Sequence, residues 1–179
     1  MNKFSKYVGL DVHQETVAVA VADTAGELRY MGEIVITPEA IAKLVAQVRR
    51  GTGRLSFCYE AGPCGYTICR QLRELKQDCQ VVAPSLIPKK PGERVKTDRR
   101  EALSLARLHR AGELSPVWIP DETQEALRDL PRAREDMKHL QRQAKQWLLS
   151  FLSRHGYRYM GRSRWTQADG QQPCATHAG

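Results

Sequence analysis

Tyr7-Val8-Gly9-Leu10-Asp11-Val12-His13 is the stretch on which the fold turns. Val8, Leu10 and Val12 alternate with Tyr7, Gly9, Asp11 and His13, the spacing of a β-strand with one apolar face. Asp11 stands mid-strand on the opposite face. Carboxylates are depleted in strands and costly to bury unless something compensates them. The rest of the chain has to supply that compensation.

Outward from this strand the pattern continues. Gln14-Glu15 turns the chain into a second strand over 16–22, where Val17, Val19 and Val21 alternate with Ala18, Ala20 and Ala22. Asp23-Thr24-Ala25-Gly26 is a turn signal, and a third strand is expected over about 28–36. Short links between these strands imply an antiparallel meander. Thr37-Pro38-Glu39 opens a helix as N-cap, first helical residue and first-turn acid, with Ile41, Leu44, Val45 and Val48 as its buried stripe and Gly51 as its stop. A fourth strand over 55–60 ends in Glu60. Ala61-Gly62-Pro63 breaks the chain before a helix expected over 64–76, and 80–83 reads as a fifth strand.

From Pro84 to Thr97 the material changes. Pro84, Pro88, Pro91 and Gly92 interleave with Lys89, Lys90, Arg94 and Lys96, which predicts a mobile basic loop. A helix follows over 98–111, with Leu105 and Leu108 on one face and Gly112 as its C-terminal stop. After a linker at 115–120, Leu127, Leu130, Met137, Ala144, Leu148 and Phe151 fall on the 3-4 spacing of a coiled-coil seam that runs to about Arg154. Pro131 lies inside that seam and is expected to kink it. Apolar periodicity then disappears, and a disordered tail is expected. The organisation read from these patterns is a domain over 5–114, a helical extension over 121–155 and a tail over 156–179.

Composition bounds the function. The 179 residues are 41% hydrophobic, enough for an ordinary core. No apolar run approaches the roughly 18–20 residues of a membrane span, and the N-terminus carries no apolar signal-peptide region, so a cytoplasmic protein with no membrane partner is expected. The five cysteines, Cys58, Cys64, Cys69, Cys79 and Cys174, form no CxxC pair. They read as reduced packing residues, neither zinc ligands nor a disulfide framework. The net charge of +8 favours a polyanionic partner. Nine Lys and Arg lie between Arg132 and Arg164, against only Glu135 and Asp136.

The order β-β-β-α-β-α-β-α predicts an α/β fold, a mixed five-stranded sheet with flanking helices. The ribonuclease-H-like fold and the actin/sugar-kinase ATPase fold share this beginning. In both, the first strand and the end of the fourth lie side by side, which makes Asp11 and Glu60 neighbours. The helix at Asp98 is expected to return across the sheet edge and deliver Asp98 and Glu101, i and i+3 on one helical face. Two like charges ~4 Å apart repel by roughly 4 kcal/mol at an effective dielectric of ~20, so four such groups call for a cation. Mg²⁺ or Mn²⁺, hard ions with oxygen ligands, match an all-carboxylate site. A pair of such ions can clamp the attacking and leaving oxygens of a phosphodiester.

Plainer readings compete. Asp98-x-x-Glu101 also resembles a capping box, Glu60 can be a solvated strand end, and a lone histidine such as His13 is more often surface or core than ligand. The ATPase fold is disfavoured, because its first hairpin turn needs small residues near phosphate and Val12-His13-Gln14-Glu15 is bulky and acidic.

Tyr7-Val-Gly-Leu-Asp-Val-His13, Tyr59-Glu-Ala-Gly-Pro-Cys-Gly-Tyr66, Val82-Ala-Pro-Ser-Leu-Ile-Pro88 and Lys96-Thr-Asp-Arg-Arg-Glu-Ala102 resemble one family together, as do Leu108-His-Arg-Ala-Gly-Glu-Leu114 and Pro116-Val-Trp-Ile-Pro120. Over about residues 5–160 the chain resembles the DEDD-type transposases of bacterial insertion sequences, the insertion-sequence 110 family. The resemblance implies a RuvC-like, ribonuclease-H-like N-terminal domain whose carboxylates bind Mg²⁺ (or Mn²⁺). Carried over by position, the catalytic and metal-binding residues are Asp11, Glu60 and Asp98, with Glu101 in the last place, where the family has Asp. The extra methylene moves that carboxylate by about one bond length, and Mg²⁺ is exacting at roughly 2.0–2.1 Å, so metal binding is expected to survive better than activity.

The resemblance also implies DNA partners (element ends and target), an element-encoded guide RNA, and a homo-oligomer that the long helix would mediate. Lys89, Lys90, Arg94, Lys96, Arg99 and Arg100 are the candidate nucleic-acid-binding residues. The family continues into a second domain carrying a serine nucleophile, and the stretch from Arg162 to Gly179 does not look like its entry. A truncated or frameshifted transposase, inactive in recombination alone, is therefore the expected function. A free-standing metal-dependent nuclease or Holliday-junction resolvase is the first alternative. A non-catalytic nucleic-acid-binding module is the second.

Overall fold

Alternation in the first strands translates directly into a two-faced sheet. The computed structural model describes residues 4–49, 53–88 and 97–157. Its elements are β1 (Lys6–Val12), β2 (Thr16–Asp23), β3 (Leu28–Val35), α1 (Pro38–Val48), β4 (Leu55–Glu60), α2 (Thr67–Glu74), β5 (Asp78–Val82), a short 3-10 turn (Pro84–Leu86), α3 (Asp98–Ala111) and α4 (Glu122–Arg154). The chain divides into two units, residues 1–119 and 120–179. Gly51, Lys89, Lys90, Pro91, Gly92, Arg94, Lys96, Cys174 and the expected tail beyond residue 157 lie outside the described residues.

In the first unit the strand order is β3-β2-β1-β4-β5. β1 pairs antiparallel with β2 and parallel with β4, and β5 is parallel to β4. An antiparallel hairpin continued by parallel strands through α1 and α2 is the ribonuclease-H-like arrangement expected from the sequence. On one face, Val8, Leu10, Val17, Val19 and Val21 pack with Phe57, Tyr59 and Val81 against Ile41, Leu44, Val45 and Val48 of α1 and Ile68, Cys69 and Leu72 of α2. Thr37 caps α1 as its composition requires, its hydroxyl accepting from the Ala40 amide at 3.2 Å. α2 is shorter than the expected 64–76: it begins at Thr67, because Pro63 to Tyr66 form turns with Gly65 at φ +62°.

The opposite face is built of small residues. Tyr7, Ala18, Ala20 and Ala22 meet Ala102 and Ala106 of α3. A Cβ on Gly9 would lie 2.4 Å from the Ala106 amide nitrogen and 2.5 Å from the Ala102 carbonyl oxygen, so α3 rests its backbone on Gly9. α3 therefore crosses the middle of the sheet over β1 and β2, not its edge as the sequence had suggested. Alternating alanines permit that approach. Gly112 ends α3 in the left-handed conformation at φ +72°. The expected linker does more than connect: Val117 donates to the Val81 carbonyl at 2.8 Å and Ala83 to the Ser115 carbonyl at 3.3 Å, covering the free edge of β5.

The C-terminal end of α3 is pinned by a buried polar cluster. The Ser56 hydroxyl lies 2.6 Å from Asp78 Oδ2 and 2.8 Å from His109 Nε2, and the His109 ring meets Tyr7 edge-on at 5.3 Å. Cys58, Cys69 and Cys79 are buried packing residues.

In the second unit α4 runs from an Asp121–Gln124 capping box through Pro131 as one helix. Leu127, Leu130, Met137, Leu148 and Phe151 of the seam are exposed along it, with Leu140 and Trp147 also exposed. Among the described residues no helix is long and apolar enough to cross a membrane.

Burial pushes the His109 imidazole down from the ordinary 6.5 to about 4, against the pull of Asp78. The folded protein thus refuses a proton that the unfolded chain accepts, and the resulting stability is complete above the unfolded pKa. As pH falls from about 6.5 to about 4, urea denaturation is expected to record a loss on the order of 3 kcal/mol beyond that of His109→Gln. Parallel pH profiles for the two proteins would remove His109 as the cause.

Candidate metal centre

Asp11 reaches the site because β1 carries it on the face that α3 covers, and it is buried at 8% exposure. Asp98 arrives from the first residue of α3. Thr97 is the N-cap there, its hydroxyl accepting from the Arg100 amide. The capping-box reading of Asp98 and Glu101 is thereby replaced: Thr97 performs the cap, and Asp98 and Glu101 are first-turn acids favoured by the helix dipole.

His13 stands between the two aspartates. Its Nε2 lies 3.2 Å from Asp11 Oδ2 and 3.3 Å from Asp98 Oδ1. One ligand atom from each of the three residues falls within a 4.8 Å cluster. His13 follows β1 directly and sits two residues after Asp11, and that i, i+2 spacing was the signal for it in the sequence.

Glu101 is not in that cluster but lies close enough to act on Asp11 electrostatically. Glu60 ends β4, exposed and paired with Val82; it lies one residue past Tyr59 as Asp11 lies one past Leu10, the last pair of the β1–β4 ladder. It too stands outside the three-residue cluster. Of the candidate nucleic-acid residues, Arg99 is exposed with its guanidinium 5.4 Å over the Tyr30 ring, and Arg100 is exposed on the first turn of α3. Lys89, Lys90, Arg94 and Lys96 fall outside the described residues.

Burial raises the Asp11 carboxyl above its ordinary 3.8; His13 opposes this, while the negative charges of Glu101 and Asp98 push it further up. A buried carboxylate repelled by two others is an energetic liability that a divalent cation would remove. Two carboxylates and an imidazole, with Glu101 close enough to act on Asp11, are a donor set that fits such an ion.

A family model for transposases of the DEDD insertion-sequence 110 type matches residues 8–156. The chain belongs to the insertion-sequence 110 family of DEDD transposases. Within this transposase family it is similar to the putative transposase y4qE of Sinorhizobium fredii, 49% identical over 162 residues, which cover 89% of this chain and 42% of that relative. It is also similar to the transposase for insertion sequence element IS1533 of Leptospira borgpetersenii, 32% identical over 163 residues, covering 89% of this chain and 47% of that protein. The transposase chain thus spans about half the length of the curated relatives it matches. Among solved structures it is similar to T. thermophilus RuvC in complex with a Holliday junction substrate, with TM-score 0.42 and 9% identity over 63% of this chain and 99% of that one.

Asp11→Asn is expected to raise the melting temperature of the metal-free protein by roughly 2–4 °C, the shift that about 1 kcal/mol produces at this size. Mn²⁺ is expected to stabilise the parent chain and to leave the variant unmoved. Thermal melts with and without the ion decide it, and a lowered metal-free melting temperature would make Asp11 a structural residue.

Proposed function

We propose that the first unit is the metal-dependent DNA-cleaving domain of an insertion-sequence transposase, with Asp11, Glu60, Asp98 and Glu101 jointly holding Mg²⁺ or Mn²⁺. The observation that carries this reading is the buried Asp11 carboxylate held opposite Asp98 across His13 in a chain of a transposase family. A divalent cation bound there polarises a phosphodiester and favours an attacking oxygen. Asp11, fixed on a central strand, would supply the rigid ligand, and Asp98, half exposed, would hold the ion from the solvent side. Glu60 and Glu101 would add the charge that helps to hold it.

The substrate is the DNA of element ends and target, approached through Arg99 and Arg100 together with Lys89, Lys90, Arg94 and Lys96, whose charge contributes sequence-independent affinity. The curated relatives, both named as transposases, support this choice of substrate. An element-encoded guide RNA and a serine-bearing domain that completes strand exchange follow from the family resemblance and belong to the same proposal, as does action in the cytoplasm. The metal-dependent step is the part assigned to this domain.

α4 is assigned to self-association. At ~1.5 Å per residue it is about 50 Å long, and its seam residues are exposed along that length. Such a stripe finds its apolar complement in a second copy of itself.

Incubating the protein with end-labelled linear and branched DNA tests the chemistry. Cleavage should require Mg²⁺ or Mn²⁺ and fall at least about a hundredfold in Asp11→Asn, the factor that ~2.7 kcal/mol of lost transition-state stabilisation produces. Salt-dependent binding should persist in that variant. Cleavage in the presence of a chelator, or by Asp11→Asn at the parent rate, would reject the assignment. The helix is tested separately: Leu130→Ser with Met137→Ser and Leu148→Ser should reduce the mass measured by light scattering to that of a single chain, and an unchanged mass refutes α4 as the interface.

A further inference from the structure

The acidic cluster contains a nitrogen donor that the carboxylate reading leaves without a role. His13 Nε2 is 3.2 Å from Asp11 Oδ2 and 3.3 Å from Asp98 Oδ1. The imidazole is half exposed and follows directly on β1, so it is not needed to fill the core. A hydrogen-bonding role accounts for only part of this placement. Nε2 carries at most one proton, and one N–H cannot point well at two separate carboxylate oxygens. A shared cation satisfies all three donors at once. Adjacent ligands of an octahedral ion with bonds of ~2.1 Å stand about 3.0 Å apart, close to the two separations observed here.

We propose that His13 is a direct ligand of the divalent cation, bridging the strand-borne Asp11 and the helix-borne Asp98, and that it biases the site towards Mn²⁺ over Mg²⁺. The inference rests on the reading of Asp11 and Asp98 as metal ligands. Imidazole nitrogen is a softer donor than carboxylate oxygen and suits transition metals, whereas Mg²⁺ prefers an all-oxygen shell. A set of one nitrogen and several oxygens leaves Mn²⁺ the ion that accepts both. The donors also divide between elements: β1 contributes Asp11, the residue just after β1 contributes His13, and α3 contributes Asp98. Asp11 and His13 would define the position of the ion from the strand side, and Asp98 from the helix side.

Mn²⁺ bound to the full 179-residue chain can be read by its own electron paramagnetic resonance, independently of any cleavage. Free Mn²⁺ titrates the affinity, and pulsed spectra report nitrogen coupled directly to the ion. Nitrogen modulation is expected in the parent chain and absent in His13→Gln. Loss of an outer-shell partner alone costs 10–100-fold in affinity, so loss of this ligand should weaken Mn²⁺ by at least about tenfold. Mg²⁺, measured by competition, should weaken less. Circular dichroism of His13→Gln should match the parent, since the side chain is half exposed. Mn²⁺ binding that Asp11→Asn abolishes but that shows no nitrogen coupling in the parent overturns the His13 ligand and leaves the carboxylate site standing. Absence of any Mn²⁺ binding that depends on Asp11 overturns both.

Discussion

The backbone of α3 lies against Gly9, and most of what this domain can do depends on that approach. A side chain at position 9 would collide with the Ala106 amide and the Ala102 carbonyl, so the helix axis is set by the absence of a single Cβ. Ala18, Ala20 and Ala22 widen the same trough on β2. From Ala102 back to Asp98 is one helical turn, about 6 Å, and from Gly9 forward to Asp11 is two strand residues, about 6.6 Å. The two carboxylates therefore meet because a helix running antiparallel to β1 is held one turn from its start. At its other end Ser56, Asp78 and His109 hold the last turn through a buried polar cluster. Seated in the middle and pinned at the end, α3 presents its first turn to the metal centre with little freedom to drift.

That geometry concentrates negative charge where a fold on its own would avoid it. Asp11 is desolvated by burial and feels Glu101 and Asp98, while His13 acts in the other direction. The helix dipole favours acids in the first turn of α3 but does nothing for Asp11, which belongs to the strand. The apolar face of the sheet, with its continuous packing of α1 and α2, supplies the stability against which this local cost is set. One face of the sheet holds the domain together, and the other is given over to a site.

Much of this was legible in the chain. Alternation in Tyr7–His13 and Thr16–Ala22 marked two strands and assigned their faces, the Thr37-Pro38 start marked α1, and Asp11 stood out because a strand interior disfavours it. Short links gave the antiparallel meander, and the two folds that share this element order placed the first strand beside the fourth. What could not be read was tertiary. The alanine face showed small residues without saying that a helix backbone would occupy the space, so α3 was placed at the edge of the sheet. Asp98 was read as the possible cap of α3, and the helix start shows that Thr97 fills that place. His13 was passed over because the usual fate of a histidine outweighed its i, i+2 relation to Asp11. The start of α2 moved by three residues because the turn chemistry of Gly62-Pro63 and Gly65 outlasted the apolar pattern.

The surroundings of Asp98 join the two halves of the site's chemistry. It is followed at once by Arg99 and Arg100, so the residue that completes the acidic cluster sits beside cations in the same helical turn. Arg99 does not neutralise the cluster from within: its guanidinium is held over Tyr30 of β3, on the flank of the sheet. On the proposed reading, a phosphate arriving at the site would meet positive charge on the β3 side and acid on the side of Glu60 at the end of β4. Charge of opposite sign on the two flanks would then orient a polyanionic strand across the site rather than merely attract it. In that proposal the same first turn of α3 would supply both a ligand for the metal and a guide for the substrate, with Thr97 capping the helix and Asp98 left beside His13.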